Sequence, residues 1–385
     1  MPLVLHSQFT ASSMALVQPL QRSFVCSLGK FGHLRNKPSH VHQRIYVMKI
    51  VTCRSKLGIQ ASSGVNAETS KLDQTEEKSD TYSSDMSNAM GAVLTYRHEL
   101  GINYNFVLPD LIVGSCLQSP EDVDKLREIG VGTIFCLQKD SDLEYFGVDI
   151  TAIREHAREY DGLQHIRAEI RDFDSFDLRM KLPSVVAKLA AAIRNGHAIT
   201  YVHCTAGLGR APAVTLAYMY WILGYKLSEA NKLLQSVRKC CPNLEAIKRA
   251  TADILTGGDK QAVTLKWRKR PCTSVEVAGL HIGWDQRLPL TFDEIQGCWV
   301  LRCDLPVGHY EYKYVIDGNW VSNADELVTE PNADGHVNNY IEVKDDHLDP
   351  MSKRTIQRLM QQDADLTETE RKVIREKLEA LSNAE

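Results

Sequence analysis

The sequence lacks several features, and each absence excludes a class of protein. No apolar stretch is long enough to span a bilayer, and no Cys, His, Asp or Glu residues have the paired spacing of a metal site. No basic segment has interleaved aromatic residues, and the net charge of −4 also argues against nucleic-acid binding. The 385 residues are enough for about two ordinary domains. We therefore expect a monomer with no membrane, nucleic-acid or metal partner.

Acidic residues are absent from residues 1–67, where Arg, Lys and Ser recur. This composition is typical of an organelle transit peptide, which we assign to residues 1–60. The first acidic residue is Glu68, and the charged segment around it predicts a disordered acidic spacer over residues 61–90. Composition alone does not distinguish a plastid address from a mitochondrial one.

The most informative segment is residues 203–210, His-Cys-Thr-Ala-Gly-Leu-Gly-Arg. A buried strand is predicted before it (residues 197–202) and a helix after it (residues 211–223), with Pro212 in the first turn. In such a loop the backbone N–H groups can converge on a tetrahedral anion at the positive end of the helix dipole, which also favours Cys204 as a thiolate. The alternative is a buried structural cysteine. The residues predicted to form a phosphate-binding loop are Thr205, Ala206, Gly207, Leu208, Gly209 and Arg210.

The Cys-x5-Arg pattern in this setting resembles the signature of the cysteine-dependent phosphatases, in particular the dual-specificity branch. The resemblance implies that Cys204 attacks phosphorus, that Arg210 binds phosphate oxygens, and that an aspartate from an upstream loop protonates the leaving oxygen. We predict Asp172 for that role, with Asp174 as the alternative, whereas Asp177 is expected to cap a helix that begins near residue 183. This route requires no metal and no cofactor.

A second domain is predicted from alternating apolar and polar residues between about residues 264 and 343. Asp317 and Gly318 form a hairpin signal, which pairs Val315 with Trp320 and makes Lys313 its diagonal neighbour. If the alternating tyrosines of this strand point into the core, Lys313 and Trp320 lie together on the outer face. The alternative is a tryptophan that packs against the edge of a β-sandwich.

The amino-acid sequence of this segment resembles the glycogen- and starch-binding modules. The β subunits of AMP-activated kinases carry a related module. The resemblance implies a sugar site made by Trp284, Lys313, Trp320 and Asn338. A phosphatase domain followed by such a module resembles the plant starch-excess glucan phosphatases. That family implies a chloroplast location in the stroma at starch granules, starch or amylopectin phosphoglucan as the substrate, and aromatic residues that extend the sugar platform into the active site. The matching aromatic positions are Tyr96, Tyr145, Phe146 and Phe173.

The same resemblance implies a redox switch, in which Cys136 traps Cys204 as a disulfide. The alternative is that Cys136 is an inert core residue. The expected activity is removal of phosphate monoesters from starch through a phosphocysteine, and the alternative is a dual-specificity protein phosphatase tethered to starch by its module.

The expected architecture has three ordered parts. Residues 91–258 form an α/β dual-specificity phosphatase domain with a central mixed sheet flanked by helices, and residues 259–345 form an all-β sandwich that binds carbohydrate. Residues 346–385 form a tail, in which Thr367 and Glu370 predict a capping box and one amphipathic helix. We expect this helix to pack on the phosphatase domain.

Overall fold

The computed structural model describes residues 65–383, apart from His197, Arg270 and residues 332–334. The predicted transit peptide lies outside the described residues. A five-stranded mixed sheet forms the centre of the first part of the fold. Its strands are β1 (Tyr104–Leu108), β2 (Leu111–Gly114), β3 (Val131–Cys136), β4 (Gln164–Arg167) and β5 (Ile199–His203). The order is β1-β2-β5-β3-β4, and every pair except the antiparallel β1 and β2 is parallel.

Helices pack on the sheet through two separate hydrophobic clusters. Val113, Phe135 and Val202 belong to one cluster, whereas the adjacent strand residues Ile112 and Ile134 belong to the other. Because successive side chains of a strand point to opposite faces, the sheet is buried on both sides. The helices are α1 (Val65–Met90), α2 (Pro120–Glu128), α3 (Asp140–Phe146), α4 (Ile150–Arg158), α5 (Ser175–Gly196), α6 (Arg210–Tyr218), α7 (Leu227–Val237) and α8 (Leu244–Thr256). A 3₁₀ helix covers His98–Leu100, and a π-helix, Met219–Leu223, continues α6.

The second part consists of two antiparallel sheets. Its strands are β6 (Lys260–Trp267), β7 (Val275–Gly279), β8 (Gly283–Pro289), β9 (Thr291–Asp293), β10 (Cys298–Pro306), β11 (Gly308–Ile316), β12 (Asn319–Val321) and β13 (Asn339–Val343). One sheet has the order β6-β10-β9, the other has the order β12-β11-β7-β8, and β13 also pairs with β11. Tyr310, Tyr312 and Tyr314 are buried in the core between them. The predicted sandwich, with tyrosines inside, is confirmed.

The tail returns to the α/β part as two helices, α9 (Pro350–Leu359) and α10 (Glu368–Asn383). Ile374 and Leu378 of α10 are buried in the same cluster as α5, α6 and α8. The capping box is present, since Thr367 N donates to Glu370 Oε2 at 2.8 Å and Glu370 N donates to Thr367 Oγ1 at 3.2 Å. The packing predicted for the tail is confirmed, and α9 is an additional helix that the prediction missed.

Two sequence-based predictions about local structure are wrong. The acidic spacer is helical from residue 65 onward, because α1 buries Ser79, Tyr82 and Met86 against the α/β part, where they stabilise a segment of otherwise polar composition. The helix expected to begin near Pro183 begins at Ser175 and contains Pro183 in its interior.

Candidate active site and sugar face

The predicted phosphate-binding loop connects β5 to the first turn of α6. Gly207 has a φ of 68°, and a Cβ atom there would lie 2.2 Å from the carbonyl oxygen of Gly114, so only glycine fits without a shift of the backbone. Gly209 adopts φ −122° and ψ −77°, outside the usual helical and extended regions. Both glycines therefore have the unusual dihedrals that were predicted for the loop.

Buried Arg238 fixes the orientation of this loop. Its Nε donates to the carbonyl of Gly207 at 2.7 Å, and its Nη2 donates to the carbonyl of Ala206 at 2.9 Å. Asn103 and Asn105 accept from the other guanidinium hydrogens, so the arginine itself is held in place. Because these carbonyls face Arg238, the loop keeps its N–H groups for an anion.

Arg210 is the centre of a buried charge network. Its Nη1 donates to Asp142 Oδ2 at 2.6 Å and to the carbonyl of Ile170 at 2.8 Å, and its Nη2 lies 2.7 Å from Asp172 Oδ2. Nη2 also donates to the Thr205 hydroxyl at 3.1 Å. The Nε atom is buried and has no hydrogen-bond partner among the described residues, which leaves one donor for an incoming phosphate oxygen.

The two candidate acids have different environments. Burial raises the pKa of Asp172 above the ordinary aspartate value and Asp142 acts in the same direction, while Arg210 opposes both. Asp174 instead caps α5, since its Oδ1 accepts from the backbone N–H of Asp177 at 2.8 Å. Asp177 accepts from the backbone N–H of Arg171 at 2.7 Å, so it is not the cap that was predicted. These contacts favour Asp172 over Asp174 as the acid beside the loop.

Cys204 is 2 % exposed and lies beside the end of β3. Cys136 is paired in register with His203, the residue before Cys204, across two parallel strands. Both thiols are free in this structure. Burial raises the pKa of Cys136 to about 12, and burial lowers the pKa of His203 to about 3. The Cys136 side chain is therefore a neutral thiol next to the strand end that carries Cys204.

The four aromatic residues predicted to extend the sugar platform surround Tyr82, a residue of α1 that the sequence analysis did not select. The ring centroid of Tyr82 lies 5.8 Å from Tyr96, 6.3 Å from Tyr145, 5.7 Å from Phe146 and 5.5 Å from Phe173. Phe173 is 41 % exposed and has a φ of 54°, a strained conformation for a bulky residue. Tyr145 is also exposed, and Phe146 is half-buried.

Tyr96 departs from its prediction. Its ring is 2 % exposed, and its hydroxyl is hydrogen-bonded with His98 Nδ1 at 2.9 Å and lies 3.4 Å from Cys116 Sγ. A side chain enclosed in this way presents no surface to a sugar. The prediction that Tyr96 contacts glucan is therefore wrong for the arrangement that the structure records, because α1 and the 3₁₀ helix cover the ring.

The predicted sugar face lies on the sheet that contains β11 and β12. Val315 pairs with Trp320, as the hairpin signal predicted, and Lys313 pairs with Ala278 two positions away. Trp284 and Trp320 are each 45 % exposed, which is unusual for tryptophan in a folded domain. These two flat rings are therefore open to solvent on the second, two-sheet part of the fold.

Two further residues belong to this face. Asn338 Nδ2 donates to Glu311 Oε2 at 2.9 Å, and Glu311 is two residues before Lys313 on β11. The guanidinium carbon of Arg287 lies 5.5 Å from the centre of the Trp320 ring. Sequence analysis missed Glu311 and Arg287. Glu311 alternates with the buried tyrosines of β11 and Arg287 precedes Leu288, and this alternation was a signal that both side chains lie on the outer face.

The two-sheet part that carries Trp284 and Trp320 contacts the loop that carries Asp172. Arg171 Nη2 donates to the carbonyl of His281 at 2.9 Å, two residues before β8 begins. The ring of Phe176 contacts both His281 at 6.1 Å and Tyr310 at 5.5 Å. The candidate acid loop is therefore supported from both parts of the fold.

The catalytic domain of dual specificity phosphatases matches residues 130–249, and the glycogen recognition site of AMP-activated protein kinase matches residues 261–349. This combination defines a cysteine-dependent phosphatase with a glycogen-type module. A relative in Castanea sativa, phosphoglucan phosphatase DSP4, amyloplastic, is 59 % identical and covers 97 % of this chain and 100 % of its own. The chain therefore belongs to the phosphoglucan phosphatase family.

Two more distant relatives share parts of the chain. Phosphoglucan phosphatase LSF1, chloroplastic, of Arabidopsis thaliana is 32 % identical over 66 % of this chain and 44 % of its own. Laforin of Mus musculus is 29 % identical over 36 % of this chain and 44 % of its own. Within the described residues, we find no helix with the length and apolar character required to cross a membrane.

Proposed function

We propose that this protein removes phosphate monoesters from glucosyl units of starch in a plastid. Its relatives in Castanea sativa and Arabidopsis thaliana are named for amyloplast and chloroplast, which supports the location, and we place the protein in the stroma at the granule surface. The observation that carries the catalytic assignment is the 2.7 Å pair between Asp172 and Arg210, which unites the candidate acid with the phosphate loop.

The reaction has two steps at this loop. The Cys204 thiolate attacks phosphorus, the bond between phosphorus and the glucosyl oxygen breaks, and Asp172 gives its proton to that oxygen. In the second step water attacks the phosphocysteine, Asp172 takes up a proton from the water, and the bond between sulfur and phosphorus breaks to release inorganic phosphate. Arg210 and the loop N–H groups hold the phosphoryl oxygens in both steps. Ala211 follows the arginine and has no hydroxyl to assist the departing thiolate.

The sugar face supplies the glucan chain. Exposed tryptophan rings stack on the C–H faces of glucose, and lysine and asparagine side chains hydrogen-bond sugar hydroxyls. We assign this role to Trp284, Lys313, Trp320 and Asn338, and we assign the extension toward Cys204 to Phe173, Phe146 and Tyr145. Binding at a site separate from the reacting phosphate raises the local concentration of substrate at the catalytic loop.

The decisive experiment compares phosphate release from solubilised phosphorylated amylopectin with turnover of para-nitrophenyl phosphate. We expect Cys204→Ser to abolish both activities. We expect Trp320→Ala to lose most activity on amylopectin but to keep aryl phosphate turnover, because the small substrate does not use the sugar face. No phosphate release from amylopectin by the wild type, despite good aryl phosphate turnover, would favour the alternative of a protein phosphatase tethered to starch.

We also propose that Cys136 protects Cys204 against over-oxidation. A peroxide oxidises the Cys204 thiolate to a sulfenic acid, and the Cys136 thiol then displaces water to form a disulfide, a loss of two electrons overall. Cys136 ends β3 in register with His203, one residue before Cys204, so the two cysteines lie at the same edge of the sheet, although side-chain alternation places Cys136 on the face of His203. Peptide mass mapping after mild peroxide treatment should detect the linked pair in the wild type, with Cys116→Ser as the matched control. Absence of the linked peptide in both proteins would contradict the switch.

A further inference from the structure

Helix α1 is the element of the fold whose presence the catalytic reaction does not explain. Most of its side chains between residues 73 and 90 are exposed or half-buried, and only Ser79, Tyr82 and Met86 are buried. The spacing of these three places them on one helix face. That face covers the candidate active site, because Tyr82 lies among the platform aromatics and Met90 reaches the phosphate loop.

Tyr82 occupies the space where a glucosyl ring would stack. Its ring contacts Phe146 and Phe173 at centroid distances of 5.7 and 5.5 Å, which are ordinary distances for packed aromatic pairs. Because this tyrosine is itself buried, it covers the sides of Phe146 and Phe173 that face α1, while Phe173 and Tyr145 keep exposed surface elsewhere. A glucan chain and Tyr82 therefore compete for the same rings.

The Tyr82 hydroxyl also holds the candidate acid. It donates to Asp172 Oδ2 at 2.6 Å, the same oxygen that lies 2.7 Å from Arg210 Nη2. The other oxygen, Oδ1, accepts from the backbone N–H of Phe173 at 3.1 Å. These donors favour the carboxylate, whereas the first reaction step needs a protonated acid that faces the leaving oxygen. Oδ2 of Asp172 thus faces Tyr82 and Arg210 and not a leaving oxygen, while burial raises the pKa of the acid and favours its protonated form.

The C-terminal end of α1 closes the other side of the loop. A Cβ atom on Gly209 would lie 2.2 Å from the Met90 methyl carbon, so the methionine side chain sits directly on the loop backbone. The Cys241 thiol donates to the Met90 carbonyl at 3.6 Å. With Met90 at this position and Tyr82 above Asp172, Cys204 has almost no exposed surface.

The attachment of α1 suits reversible displacement. Lys78 Nζ donates to the carbonyl of Tyr145 at 2.8 Å, and the Ser79 hydroxyl donates to Glu99 Oε2 at 2.7 Å. The Lys78 contact is exposed, and Ser79, Ser83 and Ser87 add hydrogen bonds to residues 94–98, each of which contributes only modestly to the closed state. Between residues 73 and 90, the buried apolar side chains of α1 are Tyr82 and Met86, whereas α5 and α6 each bury more than five. A ligand that binds the platform can therefore displace α1.

We propose that α1 is an autoinhibitory segment. It occupies the aromatic platform formed by Tyr145, Phe146 and Phe173 and holds Asp172 away from its reactive state until a glucan displaces it. The assignment rests on the proposed roles of Asp172 and the platform aromatics. The occupant of the platform in the resting protein is a segment of the same chain, and Tyr82 is the residue that couples its position to the catalytic acid.

The test uses the full chain and the accessibility of Cys204. Tyr82→Phe keeps the ring and removes only the hydrogen bond to Asp172, whereas Tyr82→Ala also vacates the platform. Ser84→Ala, on the exposed side of α1, is the matched control. The first readout is the rate at which iodoacetamide alkylates Cys204 without substrate, followed by peptide mass mapping, and the second is turnover of para-nitrophenyl phosphate.

We expect Tyr82→Ala to raise the alkylation rate about tenfold, the factor that corresponds to the loss of one hydrogen bond to a charged group. Tyr82→Phe should give a smaller rise in alkylation and aryl phosphate turnover close to the wild type, because nitrophenolate leaves without a proton. Ser84→Ala should match the wild type in both. Unchanged alkylation in Tyr82→Ala, with lower activity on phosphorylated amylopectin, would identify Tyr82 as an ordinary sugar contact and overturn the proposal.

Two controls separate other outcomes. Lower melting temperature with loss of every activity would indicate that Tyr82 is purely structural. Ser79→Ala weakens α1 through the bonds to Glu99 and to the N–H of His98 without touching the platform. For the proposal to fall in that case, Ser79→Ala must also fail to raise the alkylation rate. If the wild type releases no phosphate from amylopectin, the proposed substrate is wrong. The alkylation rates still report on α1 in that case, because they do not depend on glucan turnover.

Discussion

The catalytic loop and the sugar face of this protein differ in how ready they are to bind. Cys204, Asp172 and Arg210 are enclosed beneath α1, and the Nη1 and Nη2 donors of the arginine are already paired with protein groups. Trp284 and Trp320 are open to solvent on a preformed sheet. On the proposed roles, recognition and chemistry are separated in this chain, because glucan binds the exposed face before α1 leaves the catalytic loop.

The same difference predicts how the two regions respond to substitution. Buried charges stabilise one another, so removal of one member leaves another without a partner, at a cost of about 3–5 kcal/mol. Exposed aromatic rings contribute separately and modestly. Changes at the catalytic loop should therefore be large and interdependent, whereas changes on the sugar face should be smaller and close to additive.

Cys204→Ser should give the largest effect. Serine is a far weaker nucleophile at neutral pH, and phosphate release from either substrate should fall on the order of 10³-fold or more. Binding to insoluble amylopectin should be unchanged, because the sugar face lies on the other module. A co-sedimentation assay beside the phosphate assay measures both, and loss of glucan binding in this variant would contradict the separation of the two regions.

Asp172→Asn should lower phosphate release from amylopectin by about 10²–10⁴-fold. The effect on para-nitrophenyl phosphate should be smaller, because nitrophenolate leaves without a proton. The acid works only when protonated, and burial raises its pKa, so the wild-type rate should fall as pH increases through a pKa above the ordinary value of about 3.9. This limb of the pH profile should vanish in Asp172→Asn and persist in Asp174→Asn, and its persistence in both would exclude Asp172.

Ile374→Ala tests how much the packing of α10 on α5 and α6 stabilises the α/β part. The side chain is fully buried in the core shared with α5 and α6, and its truncation should lower the free energy of unfolding by about 2–5 kcal/mol. Leu381→Ala, an exposed position on the same helix, is the matched control and should change it by less than about 0.5 kcal/mol. Chemical denaturation measures both, and deletion of residues 360–385 should lower the melting temperature further.

Trp284→Ala should give the smallest of these effects. Loss of one stacking ring should raise KM for amylopectin about tenfold and leave kcat and aryl phosphate turnover unchanged. Ile295→Ala, at a fully exposed position of the same module, should have no effect. A fall in kcat instead of a rise in KM would show that the module acts on the chemical step, for which the contact between Arg171 and His281 is the available route.

Local sequence patterns predicted those structural features whose interacting residues lie close together along the chain. The hairpin at Asp317 and Gly318 and the capping box of Thr367 and Glu370 are formed by residues at most a few positions apart. The phosphate loop is similar, because its glycines, Cys204 and Arg210 are contiguous. Asp172 was predicted by family resemblance, and the structure adds its contact with Arg210.

Partners that are distant along the chain could not be predicted. Asp142 reaches Arg210 across 68 positions, and Tyr82 reaches Asp172 across 90 positions. Helix α1 was predicted as disordered because its composition offers few apolar residues, and it is stabilised by contacts outside itself. The helical spacing of Ser79, Tyr82 and Met86 was the remaining signal, and a pattern of three residues is too short to distinguish a helix from chance.

Three serines of α1 fix the register of the helix against the extended segment of residues 94–98. Ser83 and Ser87 each exchange two hydrogen bonds with an extended segment, with the N–H and carbonyl of Tyr96 and of Leu94 respectively, and Ser79 accepts from the N–H of His98. The three hydroxyls recur every fourth residue, while their partners run in the opposite direction in steps of two. A slip of one residue would rotate this face by about 100° and break every bond together. One residue inserted between Ser79 and Ser87 would therefore misalign the helix.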